Sequence, residues 1–206
     1  VANVQFQFGF QPYGSVSGKT PNFGLTRVTI AYNYATAMFR GDPVAYNSSG
    51  NIILASDQTA PLAGIFWGCE YTTNTPLTAL PIKSKYWPGV ALTNSATVVT
   101  AFVIQDPDTL FLAAELGTST NPIALTNIGE NVQWVAGAGG NTATGISSYC
   151  IDDNNMTVTA TLPFKIVDLY STFAPPGQNG ADNTTIYNWA VVKMNYTVRA
   201  GGAAGI

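Results

Sequence analysis

Hydrophobic and polar positions alternate along much of the chain with a period of two, and no stretch holds the 3.6-residue period of an amphipathic helix. From Arg27 onward, Val28, Ile30, Tyr32 and Tyr34 alternate with smaller or polar residues, which predicts a half-buried strand. Gly41-Asp42-Pro43 predicts a turn, followed by a strand at Val44–Tyr46, a second turn at Asn47–Gly50 and a short strand at Asn51–Ala55. Ile65-Phe66-Trp67 reads as a strand stopped on both sides by Gly64 and Gly68. Val98–Ile104 is an apolar stretch broken only by Thr100, as an interior strand is, and leaves through Asp106-Pro107-Asp108. Later, Val158, Ala160 and Leu162 alternate with Thr157, Thr159 and Thr161. The clearest amphipathic strand comes near the end. There Ala190, Val192, Met194, Tyr196 and Val198 face one way, and Val191, Lys193, Asn195, Thr197 and Arg199 the other. Leu110–Leu116 has the length of two helical turns, but the Asp-Pro-Asp before it and Gly117 after it leave little room.

Short strands with turn signals every ~8–12 residues predict an all-β fold, a β-barrel or β-sandwich, divisible into two small β lobes. The expected layout is an extended N-terminal arm at 1–26, a first lobe at 27–117, a second at 118–200 and a flexible tail at 201–206, with the seam at Gly117–Asn121. In the arm, Phe6, Phe8, Phe10 and Tyr13 alternate, or nearly so, with Gln5, Gln7 and Gln11, and no charge precedes Lys19. Such a segment is either an edge strand of the chain's own core or an arm laid on a neighbouring subunit. Phe6, Phe8, Phe10 and Tyr13 are therefore the candidate partner contacts.

Composition sharpens this picture. Charged residues make up 9 % of the chain, against about 25 % in ordinary globular proteins. The resulting Thr-, Asn-, Ser-, Gln- and Gly-rich surface suits lasting contact with other proteins. Net charge is −3, and the eight Lys and Arg residues are scattered, with Lys83 and Lys85 the one local pair. No basic stripe predicts nucleic-acid binding. No apolar run reaches the ~18 residues of a membrane helix, and the N-terminus does not read as a signal peptide. Cys69 and Cys150 stand alone, and are read as free thiols in preference to a long-range disulfide.

The chain has no histidine, which removes Ser-His-Asp and Cys-His catalysis and nearly every zinc arrangement. Paired carboxylates could still serve a glycosidase. The candidates Asp106, Asp108, Asp152, Asp153 and Glu70 have plainer readings, Asp106-Pro107-Asp108 as a turn and Asp152-Asp153-Asn154-Asn155 as a polar hairpin tip. That second cluster lacks the spacing of an EF-hand. Gly137–Gly145 has no Lys-Ser/Thr after it and reads as a flexible loop, not a phosphate cradle. Arg40-Gly41-Asp42 and the sequons at Asn47, Asn155, Asn183 and Asn195 are chance matches in such a composition. Trp67 and Tyr86-Trp87-Pro88 read as core and interface packing ahead of a sugar platform. The expectation is a chain that is not an enzyme, with no cofactor and no metal.

Two blocks carry a resemblance. The first combines Met38–Val44, Gly50, Pro61–Tyr71 and Ser84–Gly89; the second combines Val103–Phe111, Asn141–Ser147 and Leu162–Leu169. Together, across about residues 28–170, they resemble head decoration (cement) and related structural proteins of tailed bacteriophages. The resemblance implies a β-rich homo-oligomer, commonly a trimer, made in the host cytoplasm and bound to the major capsid protein on the outside of the virion. It transfers no site residues. A tail or fibre component, or a carbohydrate-binding adhesin domain, is the alternative.

Overall fold

The computed structural model of the chain describes residues 2–18, 24–72, 81–89, 99–118, 122–137 and 139–205. Its fold is all-β. The strands in chain order are β1 (Gln11–Ser15), β2 (Leu25–Ile30), β3 (Met38–Phe39), β4 (Pro43–Tyr46), β5 (Ile52–Leu54), β6 (Gly64–Thr72) and β7 (Pro81–Ser84), then β8 (Tyr86–Trp87), β9 (Val99–Ile104), β10 (Thr109–Ala114), β11 (Asn131–Val135), β12 (Cys150–Thr157), β13 (Phe164–Leu169) and β14 (Trp189–Met194). One antiparallel sheet has the order β2-β9-β6-β4-β5, with β7 added to β6. The other has the order β1-β10-β14-β13-β11-β12, and β3 pairs β8 in a small ribbon.

The two sheets form a β-sandwich-like body because each buries one alternating face against the other. Ile65 and Ile104 of the first sheet join Phe111, Val132, Phe164, Ile166 and Val192 of the second in a single apolar cluster. The opposite face of the first sheet carries Val44, Phe66, Val99, Ala101 and Val103, and packs with Met38 and Trp87 of the ribbon. Full burial of each such side chain stabilises the fold by roughly 1.5–3 kcal/mol.

The chain passes from the first sheet to the second at Asp106-Pro107-Asp108, where β9 ends and β10 begins. Residues 119–121 of the expected seam lie outside the described residues, but Gly117 and Thr118 are tied in, since Thr118 donates to Asp153. β1, from the expected arm, is itself an edge strand of the second sheet, paired to β10.

Several local expectations are corrected. Gly68 does not stop a strand; β6 runs on to Thr72 through a bulge at Phe66–Gly68. A Cβ at Gly68 would sit 2.8 Å from the Ser84 oxygen, so its glycine admits β7. Asp152–Asn155 is no hairpin tip and lies inside β12. Val158–Leu162 is a turn, not a strand. Side-chain amides take its carbonyls in place of a ladder: Asn131 donates to Thr159, and Asn195 to Ala160 and Leu162. That use of Asn195 also ends β14 at Met194, leaving Val198 exposed. Likewise β2 stops at Ile30, and Tyr32 and Tyr34 fall in the turn beyond. Leu110–Leu116 gives strand β10, with no helix.

Candidate protein-contact surface

Residues 2–10 run without regular structure across the second sheet and are clasped by their own chain. Asn3 donates from Nδ2 to the Asp182 oxygen at 2.8 Å and accepts at Oδ1 from the Gly180 and Asp182 amides. Val4 exchanges two bonds with the Asn179 side chain. Farther along, the Gly9 amide donates to Tyr149 and the Phe10 amide to Gly41. Gly9 has φ +69°, and a Cβ there would lie 2.5 Å from Ser147 Cβ. Only glycine makes that bend without strain.

The bend separates the phenylalanines that the sequence places on one face. Phe10 is wholly buried and stacks on Phe164 at 4.2 Å, inside the shared core. Phe8 is buried edge-on against Trp189 at 4.9 Å. Phe6 remains 58 % exposed. Phe10 is therefore corrected from partner contact to core residue. Cutting away residues 2–13 would remove core and part of β1, so the segment is not a detachable arm.

What stays outside is a continuous band of aromatic rings. Tyr13 stacks on Phe173, Phe173 meets Tyr170 edge-on, and Tyr170 lies 5.0 Å from Trp189. Trp189 then contacts Phe6 and Phe8, which touch each other. All these centroid separations lie in the favourable range of roughly 4.5–7 Å. Ala190, Val192 and Met194 belong to the shared core, so strand alternation turns Trp189 to the outer face. Tyr13 and Phe173 are 47 % and 40 % exposed. Sequence reading found Phe6, Phe8 and Tyr13 and missed Tyr170, Phe173 and Trp189. No local pattern marks those three; only the turn at Tyr170–Thr172 and the start of β14 bring them to the segment.

A buried carboxylate holds the neighbouring backbone. Glu115 accepts from the Ile123 and Tyr187 amides, both at 3.0 Å. Burial pushes its carboxyl up to about 7, with the nearby Asp153 charge adding to the rise. Tyr187, held by that bond two residues before Trp189, has φ +66°, a costly conformation for a residue with a Cβ. Asp42 is also buried, accepts from the Phe39 amide at 2.7 Å, and is pushed up to about 6 by desolvation.

Comparison with family models, with characterised proteins and with solved structures finds no match.

The remaining candidates are dispersed. Asp106 accepts from the Asp108 amide within its turn. Asp152 accepts from Asn154, while Asp153 is buried and accepts from the Thr118 hydroxyl at 3.1 Å. Glu70 faces Lys83 at 4.0 Å. Among the described residues no three His, Cys, Asp or Glu side chains gather as a metal site. Cys69 and Cys150 are free, buried thiols, both pushed up to about 12 chiefly by desolvation. Trp87 is in the core and donates to the Tyr34 carbonyl, which removes it from a sugar platform.

Proposed function

We propose that the chain is a capsid decoration protein, a non-enzymatic homo-oligomer that docks on the major capsid protein and reinforces the shell. The observation that carries this reading is the aromatic band. Surface aromatic rings are among the residue types that dominate binding energy at protein interfaces, and here Phe6, Tyr13 and Phe173 stand exposed in a chain poor in charge. The resemblance to head decoration proteins supplies the identity of the partner.

Bound protein stabilises the assembled shell by mass action, by an amount that grows with occupancy and affinity. Particles stripped of the protein are expected to release DNA at lower temperature, and adding it back to restore the release point. The double variant Phe6→Ser/Phe173→Ser, with native stability, is expected to need about tenfold more protein, or still more, for the same restoration. Equal release temperatures for stripped and complete particles, or equal restoration by the double variant at the same concentration, would overturn the reading.

A further inference from the structure

On the first sheet, beside β2, β9, β6 and β7, lies a cleft of about 330 Å³ lined by Arg40, Trp67, Lys83, Lys85 and Phe102. The sequence scatters its cations, but the fold does not. Arg27 lies over the Phe102 ring at 5.6 Å, so Arg27, Arg40, Lys83 and Lys85 converge on this cleft and its rim. They are four of the chain's eight Lys and Arg residues, in a protein of net charge −3. Among the described residues the carboxylate paired with these cations is Glu70, 4.0 Å from a Lys83 that is mostly in water. So open a pair contributes little.

Arg40 is the most constrained member. Its guanidinium lies 4.2 Å from the centre of the Trp67 ring, and Nε donates to the Trp67 carbonyl at 3.0 Å. Those two contacts fix the plane of the group. Its terminal nitrogens have no acceptor and no carboxylate among the described residues, although the side chain is half-buried. Partial burial lowers its pKa here. A planar, oriented fork is the geometry that takes a carboxylate in two parallel bonds. A second recess, of about 270 Å³, lies along the other side of Lys83–Lys85 beside Thr142–Gly145. The lysines thus stand between two clefts, forming a track longer than one side chain.

We infer that this cleft binds the carboxylates of an acidic, extended peptide segment of a neighbouring protein, with Arg40 as the anchor and Lys83 and Lys85 as the rail. A single-stranded nucleic acid fits less well. It needs free ring faces for its bases, and here one guanidinium lies over Trp67 and another over Phe102. The inference is independent of the shell-binding reading, since it concerns another surface and its test uses no particle.

A fluorescent peptide of alternating Asp and Glu is titrated with the full chain at low salt and followed by anisotropy. Saturable binding is expected, weakening as salt rises. Arg40→Gln is expected to weaken it about tenfold or more, and Arg40→Lys by several-fold, because lysine keeps the charge and loses the fork. Lys83→Gln/Lys85→Gln, at exposed positions that leave the fold intact, is expected to cost about fivefold. Lys193→Gln, on the second sheet, should change nothing. No binding by the native chain, equal binding by the Lys83/Lys85 variant, or tighter binding of an oligothymidylate or a sulfated oligosaccharide of the same length would overturn the inference.

Discussion

The outer face of the second sheet and the β2–β9–β6–β7 side of the first are two surfaces on which this chain departs from its own neutral composition, and they do so in opposite ways. One concentrates six aromatic rings, from Tyr13 to Phe8. The other concentrates half the cations. Apolar contact is insensitive to ionic strength and scales with area removed from water. A cationic cleft acts through screened fields and oriented donors. Their common feature is that each is assembled from distant segments: the band needs residues 6–13 beside 170–189, and the cleft needs residue 40 beside 83–85. The two surfaces should therefore be separable by mutation, and separable again by salt.

The largest expected effect is one that destroys the band from beneath. Phe10→Ala removes a fully buried ring stacked on Phe164, and should lower unfolding free energy by about 3–5 kcal/mol in urea titration. Phe6→Ser, four residues away on an exposed ring, should stay within about 1 kcal/mol. Near-equal losses would mean that the inner and outer halves of the segment are not distinct.

Next in size is the salt test. Phe6→Ser/Phe173→Ser should weaken shell binding by about 1.4 kcal/mol or more, a tenfold change, with little difference between low and high salt. Lys83→Gln/Lys85→Gln should leave shell binding through the band unchanged and flatten the salt dependence of acidic-peptide binding. A crossed result, with the aromatic variant altering the salt slope, would merge the two surfaces into one.

A pH effect should follow from the carboxylate behind the band. The Glu115 carboxyl is raised from 4.5 to about 7 by burial. The folded chain thus holds this proton more tightly than the unfolded chain does. Its contribution to stability is fully present below the unfolded value and is lost as pH rises through about 7. Asp42, raised from 3.8 to about 6, acts in the same direction. Stability should therefore fall between pH 5 and pH 8, by on the order of 1–2 kcal/mol after solvent screening is discounted. Glu115→Gln should flatten that slope in pH-dependent urea titrations, though it also loses one of the two accepted backbone bonds. An unchanged slope would sink the assignment.

These comparisons also mark what could be read from the chain. The all-β class, β4, β5, β9 and the Asp106-Pro107-Asp108 turn follow from period-two patterning and turn residues, which are local. Phe10 was misread because a single positive-φ glycine, Gly9, reverses its side, and alternation carries no record of that. The Thr-rich run at 157–162 alternates like a strand, yet Asn131 and Asn195 supply its hydrogen bonds from far away in sequence. Arg40 was visible only as part of a tripeptide. Its meeting with Trp67, Lys83 and Lys85 depends on β7 pairing with β6 and on the β3–β8 ribbon packing against that sheet, and no spacing in the sequence encodes that.

The smallest expected effect lies in the carboxylates of the Asp106 turn and of β12, which belong to neither surface. Asp106 Oδ1 accepts from the Asp108 amide at 3.0 Å, and an asparagine there presents the same oxygen. Asp106→Asn should thus change stability by no more than about 0.5 kcal/mol. Asp152 accepts from the Asn154 amide and also from the Asn155 side-chain amide. Asp152→Asn keeps the first bond and turns a donor toward the second, so its cost should be slightly greater. Asp153 is different: it is buried on β12 and accepts from Thr118, so Asp153→Asn should cost the most of the three. Urea titration ranks them. Shell binding and acidic-peptide binding should be unchanged by Asp106→Asn and Asp152→Asn alike, and a loss of either activity at those positions would show that one of these carboxylates serves one of the two surfaces after all.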